Sequence, residues 1–523
     1  MLTLLALAAH ASTTLTGHPA DGFGAEVSAA GDVDGDGYDD VLVAKPTGGP
    51  AGEGQVHLYR GSAAGLETTP AVTLTGPAAG SGFGHSVDAA GDVNGDGYGD
   101  VVVGGWTYDA DRGYAAIYLG SALGLASVPS TVIEGLVSDD RLGASVAGVG
   151  DVDRDGYDDV AIGAPGNPMI PGFPGRVEVW AGNAAGAPTL ARELPGEDDG
   201  SSFGGSVSAA DVNTDGYADV LVGAEGQGGY TGAVYVFPGG RRGPLATKFQ
   251  RIDGRFANDF FGAGVAGAGD IDADGYDDIV VMDRAGTEAH FTVLAGSATR
   301  VRVAQEVATD ELVDAIDGVG DANLDGHADV VVGAIAWDGL AGHALLYPGG
   351  NSLLGVGEPT RAVVGESGGD FLGTSVAGAG DVDGDGLADI VAGASGGGVD
   401  GLASAHVIEG NYALDISVGS SPGTCTVYLG YADPGDTYLV YFSPSPGAGG
   451  PCPDALGGLC FDLRKPRYLG AAVANYSGGA SITSAVPAGV LPGTPVTFQT
   501  VVVRDHGWQE IEVSRTITAT ITP

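Results

Sequence analysis

The sequence predicts an all-β chain, a seven-bladed β-propeller with calcium-binding loops followed by a small C-terminal β-sandwich. Three observations lead there. A nine-residue acidic loop, Asp32-Val33-Asp34-Gly35-Asp36-Gly37-Tyr38-Asp39-Asp40, recurs from Asp92, Asp151, Asp211, Asp270, Asp321 and Asp381. The start-to-start spacings are 60, 59, 60, 59, 51 and 60 residues in a chain of 523, which is the mark of a repeat architecture. Each repeat holds short apolar runs separated by glycine-rich turns, four to a repeat, the make-up of a propeller blade. From about Asn411 the period stops, while alternating strands continue to the end.

The loop is built for a hard cation. Oxygen ligands at positions 1, 3 and 5, a backbone carbonyl at 7 and a carboxylate at 9 converge on one ion if the chain turns sharply at position 6. Position 6 is glycine in every copy, from Gly37 to Gly386, as a backbone needing positive φ requires. The candidate ligands at position 1 are Asp32, Asp92, Asp151, Asp211, Asp270, Asp321 and Asp381. Position 3 alternates through Asp34, Asn94, Asp153, Asn213, Asp272, Asn323 and Asp383. Position 5 supplies Asp36, Asp96, Asp155, Asp215, Asp274, Asp325 and Asp385, and position 9 supplies Asp40, Asp100, Asp159, Asp219, Asp278, Asp329 and Asp389. The carbonyls at position 7 belong to Tyr38, Tyr98, Tyr157, Tyr217, Tyr276, His327 and Leu387. An all-oxygen set without Cys or His favours Ca²⁺, up to seven ions in structural roles, over Mg²⁺. An EF-hand shares the first six positions but needs a Glu at position 12 and flanking helices. Here position 12 of the first copy is Val43, inside a β-branched run, so the loop joins two strands.

Taken in order, Leu2 to Ala11 read as the remnant of a signal peptide, apolar and ending in Ala9-His10-Ala11. Ser12 to Thr16 form a lone strand. Residues 12–411 then make the propeller, each repeat running from a Phe-Gly or Leu-Gly start through a small-residue strand, the acidic loop, an apolar strand and two more strands. The last repeat lacks a fourth strand, and Ser12 to Thr16 supply it, which closes the ring and removes an exposed sheet edge. Residues 412–523 make the sandwich, with strands at Thr426 to Leu429, Tyr438 to Phe442, Pro495 to Val503 and Ile511 to Thr522. All three cysteines lie there. The short Cys452 to Cys460 loop suggests a disulfide with Cys425 left over, although three pairings exist.

Phe23-Gly24, Phe83-Gly84, Phe203-Gly204 and Phe261-Gly262, with Gly163-Ala164-Pro165 after the third loop, resemble the FG-GAP repeats of the integrin α-subunit headpiece. The resemblance covers residues 12 to 411. It implies seven blades around a ring, with Ca²⁺ in the loop between each blade's first and second strands and partners met on the opposite face. Three departures bear on local packing. Repeat 6 has Leu312-Val313 for Phe-Gly, repeat 4 lacks the glycine before Asp211, and repeat 5 has Met282-Asp283-Arg284 for Gly-Ala-Pro.

Formal net charge is −46, and 25 of the carboxylates occupy ligand positions. Seven Ca²⁺ would leave −32, which excludes nucleic acid or an anionic membrane as partner. No stretch approaches the roughly 20 apolar residues of a membrane span. Secretion or display at the cell surface follows, where Ca²⁺ is millimolar. No catalytic constellation emerges: Gly-x-Ser-x-Gly occurs at 365–369 and 393–397 in glycine-rich loops with no following helix. The chain reads as a binding or adhesion scaffold for an extracellular protein or glycan, the alternative being a polysaccharide lyase or hydrolase built on the same ring. Candidate partner contacts are the loop aromatics Trp106, Tyr108, Phe173, Tyr230 and Trp337.

Overall fold

The computed structural model describes residues 13–408 except 171, 247–248, 284–289, 310–311, 324–325, 351–352, 354–360, 366 and 398–401, and within 411–523 the strands alone. The expected leader remnant, Asp325 and the Cys452–Cys460 disulfide lie outside the described residues. Two compact units emerge, Ser12–Gly410 and one that takes Asn411–Pro523.

The first unit is a seven-bladed β-propeller. In six blades the four strands follow one another across the sheet, as Glu26–Gly31, Asp40–Lys45, Gln55–Tyr59 and Val72–Thr75 do in blade 1. Blade 7 takes Leu372–Gly380, Asp389–Ala394 and Ala403–Ile408 from one end of the unit and Thr13–Gly17 from the other. Thr14 lies opposite His406 and Leu15 opposite Ala405 in an antiparallel ladder. The ring is closed by the lone strand, as its sequence suggests.

The core lies between blades. Val41 and Val43 pack with Leu15, Phe23, Val391 and Val407 toward blade 7. Leu42 and Ala44 pack with Phe83, Val101 and Val103 toward blade 2. Each second strand is therefore buried on both faces, which explains why these runs are apolar throughout and do not alternate.

Two glycines set the distance between blades. The glycine of each Phe-Gly start, such as Gly204 at φ 85°, turns the chain so that its carbonyl meets the neighbouring blade. A Cβ on Gly163 would strike the carbonyl of Gly204, and one on Gly223 that of Gly262. The Gly of Gly-Ala-Pro is thus the other half of the Phe-Gly joint. Repeats 5 and 6 depart from the motif together because they share one joint. Met282 takes the glycine's place in blade 5, and Val313, only 1 % exposed, packs in the same cluster from blade 6. Bulk there replaces close approach. Asp314 keeps the backbone link, its N–H donating to Gly333 at 2.9 Å as Gly143 does to Gly163 at 2.9 Å. Repeat 4 also resolves simply: the other six first strands bulge at the glycine before the loop, while Ser206–Ala210 pairs through to Asp219 without a shift.

The first strands stand side by side around the axis, and three of them bring carboxyls toward one another. Glu26 is pushed up to about 8 by burial, then by Asp88 and Asp317. Asp88 accepts from Ser28 Oγ at 2.9 Å and Gly148 N at 3.1 Å, and Asp317 accepts from Gly378 N at 3.1 Å. A carboxyl raised in the fold keeps a proton that the unfolded chain releases near 4.5, so stability falls as pH climbs from there through about 8. Glu26→Gln is expected to melt like the parent at pH 4 and to gain on the order of 2 kcal/mol by pH 8.5. A difference that does not grow with pH, in calorimetry across that range, counts against Glu26 as the proton holder.

The second unit's described strands form two antiparallel sheets. One orders Ile416–Ser421, Thr424–Leu429 and Ala480–Ala485; the other orders Arg467–Val473, Thr437–Ser443, Pro495–Val503 and Ile511–Val513, with Ile517–Thr520 also on Pro495–Val503. The whole described chain is β apart from short turns of helix in loops.

Candidate metal centres

Each acidic loop leaves the first strand of its blade and enters the second, with no helix on either side. In loop 1, Asp32 holds the turn: Oδ1 accepts from Gly35 N and Asp36 N at 2.6 and 3.1 Å, and Oδ2 from Gly37 N at 2.8 Å. The bond from the position-6 glycine recurs at Gly97, Gly156, Gly216, Gly275, Gly326 and Gly386, at 2.8 to 2.9 Å. Those glycines have φ between 79° and 93°. A Cβ on Gly37, Gly97, Gly156, Gly275, Gly326 or Gly386 would touch nothing within 4 Å. The demand at position 6 is therefore conformational and not spatial.

Position 9 is the buried end of the site. Asp40 accepts from Val33 N at 3.3 Å and from Gly61 N at 2.9 Å, tying the loop to the end of the third strand. Asp100, Asp159 and Asp278 repeat this pair of bonds. Burial pushes Asp40, Asp100, Asp159, Asp219 and Asp278 up to about 7 against those amides. A nearby dication reverses that burden.

Loops 1, 3, 5 and 7 gather ligand oxygens within 4.8 Å of one another: Asp32, Asp34 and Asp36; Asp151, Asp153 and Asp159; Asp270, Asp272 and Asp278; Asp381, Asp383 and Asp385. Asp34 Oδ1 and Asp153 Oδ1 are buried and accept no hydrogen bond. Lone pairs left open inside a cluster of like charge suit a hard cation, so the residues present fit Ca²⁺. In loop 4 the amide of Asn213 donates to Asp219 Oδ2 at 3.0 Å, so a neutral donor occupies one lone pair of the position-9 carboxylate there.

Three features of these loops escape sequence reasoning. Position 4 is left-handed in every loop where it is described, with φ of 61° at Arg154, 54° at Thr214 and 56° at Ala273, and glycine at positions 35, 95 and 384. The position-7 ring packs over position 4 of the preceding loop: Tyr98 abuts Gly35, Tyr157 abuts Gly95, and the Arg154 guanidinium lies 4.9 Å from the Tyr217 ring. Arg60 reaches into loop 1 and pairs with Asp34 Oδ2 at 3.1 Å. Only the recurrence of tyrosine at position 7 offered a signal, and it points to packing as much as to a carbonyl ligand.

Most of the loop aromatics are held by the fold. Trp106 is half-buried, edge-on to His85 at 5.6 Å and 4.9 Å beneath the Arg141 guanidinium. Tyr108 packs edge-on to Tyr114 at 5.1 Å, Trp337 stacks on His343 at 5.4 Å, and Phe173 is half-buried. Tyr230 is the most open of the five at 39 % exposure, beside Phe260 at 5.1 Å. Neither Gly-x-Ser-x-Gly match leads into a helix among the described residues. Ser367 caps Asp370 at 2.9 Å, and Gly393 is a blade joint whose Cβ would strike Gly24.

The family models that match are an FG-GAP-like repeat over residues 32–103 and an FG-GAP repeat over 142–181, 203–237 and 372–408. Integrin alpha-IIb of Mus musculus is 40 % identical over 115 residues, covering 22 % of this chain and 11 % of that protein. Integrin alpha-8 of Mus musculus is 38 % identical over 151 residues, 27 % of this chain and 14 % of that protein. Phosphatidylinositol-glycan-specific phospholipase D of Bos taurus is 34 % identical over 167 residues, 27 % of this chain and 20 % of that protein. The chain thus spans between about a tenth and a fifth of the length of these relatives.

Proposed function

We propose that this chain, an FG-GAP repeat protein whose propeller resembles that of integrin α subunits, is a Ca²⁺-loaded binding scaffold of the cell surface or extracellular space that engages a protein or glycan. One observation carries the cation half of the reading: four loops bring three carboxylates each within 4.8 Å, with open lone pairs on Asp34 and Asp153. Residues 12–411 form the ring, the ions lock its loops, and the partner meets the opposite face, where Tyr230 lies open. Residues 412–523 add a β-sandwich. The likeness to integrin α subunits favours binding over catalysis, and the ions are structural in this reading.

The test is capture. The chain, printed over an array of matrix proteins and extracellular glycans in 1 mM Ca²⁺ and in EDTA, is expected to retain a discrete set of ligands in Ca²⁺ alone, and to lose affinity when Tyr230 becomes Ala. Retention indifferent to EDTA, or no retention at all, overturns the reading.

A further inference from the structure

Neighbouring acidic loops are wired to each other through position 8. The backbone N–H of that residue donates to the position-1 carbonyl of the preceding blade: Asp39 to Asp381 at 3.1 Å, Gly99 to Asp32 at 2.8 Å, Asp158 to Asp92 at 3.1 Å and Ala328 to Asp270 at 3.0 Å. In three blades position 8 is aspartate, and its carboxylate answers with a second bond. Asp39 Oδ2 accepts from Asp381 N at 2.8 Å, Asp158 Oδ2 from Asp92 N at 2.8 Å, and Asp277 Oδ2 from Asp211 N at 2.9 Å. At Asp92 and Asp381 the glycine before position 1 makes room, because a Cβ on Gly91 or Gly380 would strike the incoming carboxylate, whereas before Asp211 the residue is Ala210.

Two of the three borrowed carboxylates fall where a loop's own charge is low. Loop 2 has Asn94 at position 3 and receives Asp158; loop 4 has Asn213 and receives Asp277. Loops 1, 3 and 5 have Asp34, Asp153 and Asp272, and face the uncharged Gly99, Ala218 and Ala328. Five loops so reach the same count of four carboxylates by two routes. The other two loops depart in opposite directions: loop 7 has both, with Asp383 and the incoming Asp39, and loop 6 has neither, with Asn323 and the uncharged Ala388 at position 8 of the next loop.

We infer that Asp39, Asp158 and Asp277 are positioning residues that lend charge to the cation site of the preceding blade, and that across loops 1 to 5 the Asp/Asn alternation at position 3 balances this loan. The inference rests on the Ca²⁺ reading of the loops. The number of ligand charges tunes the affinity of such sites, so removing a lent charge weakens one site and adding a carboxylate at position 3 restores it.

The decisive set is Asp158→Asn, Asn94→Asp and the double variant, measured by equilibrium dialysis of Ca²⁺ against the full chain, with melts in chelator as a control for folding. The asparagine at 158 keeps an acceptor for Asp92 N–H and loses only the charge. We expect Asp158→Asn to weaken one site about tenfold, a change within the range that ligand charge spans, and the double variant to recover the parental isotherm. An unchanged isotherm in Asp158→Asn, or a double variant no better than the single, overturns the inference while the parent's own Ca²⁺ binding still stands. A parent that binds no Ca²⁺ overturns the cation reading and this inference with it.

Discussion

Removing Ca²⁺ is expected to lower the melting temperature of the propeller by about 10 °C or more. A site occupied at a hundredfold excess over Kd adds about 2.7 kcal/mol, and the four loops that gather carboxylate triads bring that to about 11 kcal/mol. Unfolding some 400 residues carries an entropy of about 0.8 kcal/mol per kelvin, so this loss moves the midpoint by about 13 °C. The loops themselves do not collapse on stripping, because Asp32 and its counterparts stay bonded to their own amides. What returns is repulsion among carboxylates and the cost of burying Asp40 and its equivalents. Scanning calorimetry in 1 mM Ca²⁺ and in EDTA measures the shift, and coincident melts would remove the ions from the stability of the ring.

Deleting Thr13–Gly17 is the second large effect. The strand contributes five ladder positions against Ala403–Ile408 and buries Leu15, 2 % exposed, among Phe23, Val391 and Val407. Burying one leucine contributes about 2 to 3 kcal/mol and each ladder bond about 0.5 to 1.5, so the loss is on the order of 5 kcal/mol. It also bares the edge of Ala403–Ile408, which can then pair with another chain. The truncated chain is expected to melt about 6 °C lower and to elute from a sizing column as dimers or larger. Leu15→Ala keeps the ladder and is expected to cost about 2 to 5 kcal/mol without association. A truncated chain that stays monomeric with the parental midpoint would show that the ring does not depend on this seam.

The repeat, the strand-loop-strand context and the closing strand were legible because each is written locally. Gly37 to Gly386 mark position 6 without reference to any neighbour, since the need there is a backbone angle. What the sequence hid are contacts between adjacent blades, tens of residues apart in the chain. Met282 and Val313 look like two unrelated departures until the joint between blades 5 and 6 brings them into one cluster. Asn94 and Asn213 at position 3 have no local cause, and acquire one only when Asp158 and Asp277 are seen at their loops. The packing of the loop aromatics was equally out of reach. Trp106 and Trp337 stand in polar, glycine-rich loops, yet their rings rest on His85, Arg141 and His343. Tyr230 alone among the five is exposed.

The seam inside blade 7 also sets a timetable. Thr14 and His406 are 392 residues apart, so at a ribosomal pace of about 5 to 20 residues per second the early strand waits some 20 to 80 seconds for its partner. During that interval blades 1 to 6 can stack, each against a neighbour already made, while the circle stays open at one place. Completion is the longest-range event in the topology, and the slowest kind to nucleate. Whatever shields Leu15 and its strand from wrong pairing in that minute governs the yield of intact rings.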